Sequence, residues 1–148
     1  MKTFPLSTTS SVDEKLLAWC PNLSDWAQKW RMEDRDVSLG EEIVALLRPF
    51  LIHLLQQNMT RRTFCRHRDN VWLLGGEIIR EVNFVPELRR CSALELVRET
   101  VCDVDGPLIS PALQEREQQS FDATCRLLHR FLENPAGERE ATSPDYAS

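Results

Sequence analysis

Glycine is scarce in this 148-residue chain, with five in all, and valine and isoleucine almost never alternate with polar residues. Sheets and their tight turns depend on both features, so the scarcity argues against a β fold. No CxxC pair occurs, and the five cysteines (Cys20, Cys65, Cys91, Cys102 and Cys125) are odd in number and stand far apart. Structural zinc takes four ligands, usually as close pairs. Cys125 and His129 have ligand-compatible helical spacing, but no second pair joins them, so no metal or other cofactor is expected. Asp103-Val-Asp105-Gly lacks the third acid and the distal glutamate of a calcium loop and reads as a turn. Nucleophile elbows, phosphate-binding glycine loops and HExxH motifs are all missing, so an enzyme is not expected. The longest apolar run is interrupted by Arg48, Pro49 and His53, which leaves no membrane span. The first residues hold no apolar stretch of signal-peptide length, so a cytoplasmic, reducing environment is the expected location.

What is present reads as helix. Ser11 with Glu14 has the pattern of a capping box and predicts a helix over 12–19, after a loose start over residues 1–10. Pro21 ends it, and Ser24 can open a second short helix carrying Trp26 and Trp30. Residues 33–36 read as a charged link. Ser38 or Gly40 then precedes Glu41 and Glu42, acids suited to a helix N-terminus, and Ile43, Leu47, Phe50, Leu51, Leu54 and Leu55 follow at helical spacing. Pro49 is expected to kink or divide that helix.

Thr60 is placed to cap the next helix, over 61–82. On a helical wheel Phe64, Cys65, Val71, Trp72, Leu74, Ile78, Ile79 and Val82 share one half, with Arg62, Arg66, Asp69, Glu77 and Arg80 opposite. Gly75 and Gly76 lie inside this helix at a cost of about 1 kcal/mol each against alanine. A close helix crossing would offset that cost at Gly75; a break in the helix is the competing expectation. Ser92 with Glu95 is a second capping box, opening a helix through Val101. Ser110 and Pro111 suit the start of a last helix carrying Leu113, Phe121, Cys125, Leu128 and Leu132.

The expected fold is therefore all-α. Two helical hairpins, over 39–82 and 92–133, form a four-helix core. A short Trp-containing helical N-terminal extension (residues 1–36) precedes the domain (37–133), and 134–148 read as a disordered tail. The four tryptophans, Trp19, Trp26, Trp30 and Trp72, read as core or docking residues, with a base-stacking platform as the minor reading.

The net charge is -5, yet Arg61, Arg62, Arg66, His67 and Arg68 crowd together with no acid among them. A helix N-terminus offers unpaired N–H groups to an anion, and arginines beside it supply bidentate geometry for phosphate. The bland alternative is a solvated face in which Arg66 pairs with Asp69 or Asn70. The wheel puts Arg68 and His67 inside the apolar arc, where Arg68 snorkels or pairs internally and His67 is a core-edge histidine. Glu77, Glu81, Glu87, Glu95 and Glu99 read as solubilising charges.

Residues 50–73, from Phe50-Leu-Ile-His-Leu-Leu through Thr60-Arg-Arg-Thr63-Phe-Cys-Arg-His67-Arg-Asp-Asn-Val-Trp-Leu, resemble the first hairpin of the core-binding, SAM-like domain of tyrosine recombinases and phage integrases. Ser120-Phe-Asp-Ala-Thr-Cys-Arg-Leu-Leu-His-Arg-Phe-Leu is similar to that domain's last helix. The resemblance spans about residues 41–133, in pattern more than identity. It implies a four-helix unit that clasps DNA, with backbone contacts from Thr60, Arg61, Arg62, Thr63 and Arg66. The family's Arg…Lys…His-x-x-Arg…Tyr catalytic constellation is missing, and the single tyrosine, Tyr146, lies in the tail. The expectation is a non-enzymatic DNA-binding protein, accessory to a recombinase or mobile element, with DNA and a recombinase as partners. The rival expectation is a protein-interaction module (adaptor, antitoxin or regulator) that binds no nucleic acid and docks a protein partner through its apolar face or its tryptophans.

Overall fold

The computed structural model describes residues 4–101 and 114–134, with side chains from Ser11 onward. Among the described residues all regular structure is helical: α1 (Phe4–Trp19), α2 (Trp26–Trp30), α3 (Asp36–Leu55), α4 (Arg61–Phe84), α5 (Ala93–Thr100) and α6 (Glu115–Glu133), with 3-10 turns at Leu23–Asp25 and Pro86–Arg90. The all-α class expected from the sequence is the class observed. No described helix is long and apolar enough to cross a membrane.

Several boundaries differ from the expectation. The first helix starts at Phe4, so residues 4–10 are helical and Ser11 lies inside the helix instead of capping it. α3 starts at Asp36, ahead of Ser38 and Gly40, and it runs undivided through Pro49 to Leu55. α6 opens at Glu115, where Gln114 and Glu117 form the reciprocal capping pair. Ser110, Pro111, Leu113, the Asp103–Asp105 turn and the tail beyond Asn134 lie outside the described residues. The capping box at Ser92 and Glu95 forms as its spacing requires, with bonds of 2.9 and 3.1 Å.

Two long helices, α3 and α4, make the centre. α3 packs against α1, α2, α4 and α5, while α4 packs against α2, α3 and α6. The helices of the second expected hairpin, α5 and α6, thus each lie against the first pair. Phe50, Phe64, Phe121, Ile43, Leu47, Leu74, Ile78 and Leu128 are fully buried between them. Trp26 and Trp30 are buried in the same core, so the N-terminal segment is part of it.

Trp30 explains the glycine pair. Its indole lies against Gly75, where an added Cβ would sit 2.2 Å from two ring carbons. Its Nε1 donates to the Trp72 carbonyl at 3.0 Å, which locks the ring in place. The helix is continuous there, and the close crossing expected at Gly75 is the one that forms. Trp72 itself corrects the wheel, since its side chain is 40% exposed. Glu77 corrects it the other way: it is buried and paired with Arg80 at 3.3 Å, so it is not a solubilising charge.

Asp36 belongs to no link. It is completely buried and accepts from the Met32 and Glu33 N–H groups at 2.8 and 3.0 Å, from Asn83 at 3.1 Å and from Arg89 at 2.8 Å. Arg89 also donates to Glu33 at 3.0 Å and to the side-chain oxygen Oδ1 of Asn83 at 3.2 Å. One carboxylate thereby ties the start of α3 to the end of α4 and to the Pro86–Arg90 turn.

Candidate nucleic-acid interface

The α3–α4 connection sets the geometry of the cationic turn. Asn58 takes a left-handed φ of 60°, a conformation asparagine tolerates, and so reverses the chain. Thr60 is the N-cap of α4, as its spacing predicts: its hydroxyl accepts from the Thr63 N–H at 3.1 Å and donates to the Thr63 hydroxyl at 3.0 Å. The Phe64 N–H bonds the Thr60 carbonyl at 3.0 Å. The N–H groups of Arg61 and Arg62 have no partner among the described residues, so they are the two open donors of this helix end. Phe64 is fully buried against Trp19, with ring centroids 5.7 Å apart, and fixes the rotation of the turn.

That rotation divides the cations. Arg61 leans back over the Trp19 ring at 5.7 Å and donates to the Ala18 carbonyl at 3.2 Å. Arg68 donates to the Trp19 carbonyl at 2.8 Å and to Asp69 at 3.0 Å. These carbonyls are among the four that a helix C-terminus leaves unpaired. Arg61 and Arg68 therefore cap α1 from outside, and Arg68 pairs internally as the wheel implies. His67 also turns inward and meets the Thr124 hydroxyl at 2.7 Å. Burial, with the Arg66 charge second, lowers its pKa below the usual 6.5, which leaves the ring neutral at neutral pH. Beside it Asn70 donates to the Ser120 carbonyl at 3.1 Å and the Thr124 hydroxyl at 2.9 Å.

Arg62 and Arg66 are different. Both are exposed, and neither makes an ion pair or side-chain hydrogen bond with any described residue. The pairing of Arg66 with Asp69 or Asn70 does not form, because Asp69 is taken by Arg68 and Asn70 by α6. Four residues apart, the two arginines share one helix face, where like charges cost a few tenths of a kcal/mol. Of the expected contact residues, Thr60 and Thr63 thus shape the turn, Arg61 braces α1, and Arg62 and Arg66 face solvent.

Arg116 is a cation that sequence alone does not single out. It stands in the first turn of α6, across a cleft from Arg66, exposed and without a partner among the described residues. Glutamates on both sides of it give the look of an ordinary solvated helix face. Among the described residues no group of three or more His, Cys, Asp or Glu side chains is placed to hold a metal ion. Comparison with protein-family models, with curated proteins and with solved structures finds no match for this chain.

Proposed function

We propose that this is a non-catalytic helical protein that binds the phosphate backbone of DNA through the first turn of α4, as an accessory to a recombinase or mobile element. One observation carries the reading: Arg62 and Arg66 are held on one face of a capped, buried-core helix, and no described residue pairs with their guanidinium groups. The two open N–H groups at the same helix end favour an anion of the same kind. The net charge of -5 opposes the approach of DNA. Exposed charges more than about 10 Å away are screened at moderate salt, so the local pair governs contact. Affinity is accordingly modest and steep in salt. The rival reading is a module that docks a protein partner through its apolar face or its tryptophans. Trp26 and Trp30 are buried, so those two residues offer no docking surface.

Equilibrium binding of a labelled duplex across a salt series tests the proposal. Log K falls linearly with log salt, and each phosphate that is no longer neutralised reduces the slope by about 0.9. Arg62→Ala with Arg66→Ala should weaken binding and flatten the slope by about 1.8. Binding that ignores salt, or no binding at low salt, contradicts the reading.

A further inference from the structure

Two walls of a cleft between α4 and the start of α6 carry arginine. Arg66 lies on one and Arg116 on the other, around a space of about 510 Å³ that Asn70 and Ser120 also line. Two acids, Asp69 and Glu117, also line it, which makes its formal charge zero. The acids are engaged, and among the described residues the arginines are not. Asp69 is bonded to Arg68 at 2.9 Å, and Glu117 accepts from the Gln114 N–H at 3.1 Å as part of the α6 cap. Arg66 and Arg116 have no partner among the described residues. The α4–α6 contact beside the cleft is fixed, because Asn70 is buried and its amide N–H₂ is consumed by Ser120 and Thr124. Two guanidinium groups from different helices at one cleft, neither bonded to a described residue, match an anion with oxygens on both sides.

We infer that this cleft seats a phosphodiester of the DNA strand, clamped between Arg66 of α4 and Arg116 of α6. The inference rests on the reading of α4 as a DNA-binding element and adds α6 as its second wall. Recognition is by charge and by the fork of each guanidinium, so it carries no base preference. Glu117 works against the seat. Its oxygen is needed for the helix cap, but its charge is not, since a glutamine at that position keeps the acceptor.

The test is anisotropy of a labelled duplex with the full chain, across salt, for wild type, Arg116→Ala, Arg116→Lys and Glu117→Gln. A melting curve accompanies each variant, and Arg116→Ala should melt as wild type because it breaks no bond to a described residue. Arg116→Ala should weaken binding several-fold and flatten the salt slope by about 0.9. Arg116→Lys should restore the slope while binding less tightly than arginine, because a lysine holds charge without the fork. Glu117→Gln should tighten binding at unchanged melting temperature. An unaltered slope in Arg116→Ala, with the Arg62 and Arg66 double variant still flattened, overturns the cleft and leaves the α4 reading standing. No wild-type binding at low salt overturns both. Deoxyadenosine monophosphate that binds wild type but not Arg116→Ala, with the duplex slope unchanged, assigns the cleft to a free nucleotide and overturns the proposal.

Discussion

Asp36 is ionised although its side chain is fully buried. Burial alone would raise its pKa, but the Arg89 guanidinium, the Glu33 and Met32 N–H groups and Asn83 together hold it down to about 2, against an ordinary 3.8. A carboxylate with a depressed pKa stabilises the fold fully above its ordinary value and loses that contribution as pH falls toward the depressed one. Acidification from about pH 4 to pH 2 should therefore remove about 2 kcal/mol through this residue. Asp36→Ala should cost about 2–4 kcal/mol at neutral pH, because it takes the shared acceptor from the Met32 and Glu33 N–H groups, from Asn83 and from Arg89, and Arg89 keeps only Glu33 and Asn83. Urea unfolding at several pH values checks both, and the alanine variant should lose the Asp36 share of the acid dependence. His67 acts earlier on the same scale. Its lowered pKa means the unfolded chain takes up the proton first, so stability begins to fall as pH drops below about 6.5. His67→Gln should remove that first decline in a melting-temperature series. The Asp36 network was not legible in sequence. Asp36 sat in a run of charges that looked like a link, and Asn83 and Arg89 lie 47 and 53 residues away. His67 was legible, because its place on the wheel put it in the apolar arc.

At the scale of helices, α4 shows how a local liability is settled by a distant partner. Gly75 and Gly76 have equal helix propensity but unequal surroundings. A Cβ at Gly75 would meet the Trp30 ring at 2.2 Å, while one at Gly76 would meet it at 3.3 Å. Gly75→Ala must displace an indole held by the Trp72 carbonyl and should destabilise by about 1–3 kcal/mol despite its better propensity. Gly76→Ala gains up to about 1 kcal/mol of helix propensity but presses on the same held ring at 3.3 Å, so it should be near neutral. Thermal melts of the two variants should differ by several degrees. The period of α4, its Thr60 cap and the Ser92–Glu95 box were legible because each is written in neighbouring residues. Pro49 was legible as a stress and not as an outcome, since the apolar packing of α3 on both sides holds the helix together. The start of α3 was misplaced because Asp36 gains its reason from tertiary partners, and α1 began earlier than its Ser/Thr-rich sequence suggests.

Over the whole molecule, four arginines clustered in eight residues do two jobs, and burial of Phe64 against Trp19 decides which. Sequence alone shows the cluster and, through the wheel, the inward turn of Arg68. It cannot show that Arg61 reaches the end of α1, because that contact is set by how α1 crosses α4. The division implies that two substitutions of equal charge have different effects. Arg61→Ala with Arg68→Ala removes the braces on α1 and should lower stability by about 1 kcal/mol or more, chiefly through Arg68. Arg62→Ala with Arg66→Ala breaks no bond to a described residue and should leave stability unchanged. The decisive measurement is the salt dependence of duplex binding by these two charge-matched double variants. The slope should flatten by about 1.8 for the Arg62 and Arg66 pair and stay close to wild type for the Arg61 and Arg68 pair. Equal flattening in both, or none in either, would contradict the assignment of Arg62 and Arg66 as the residues that meet DNA.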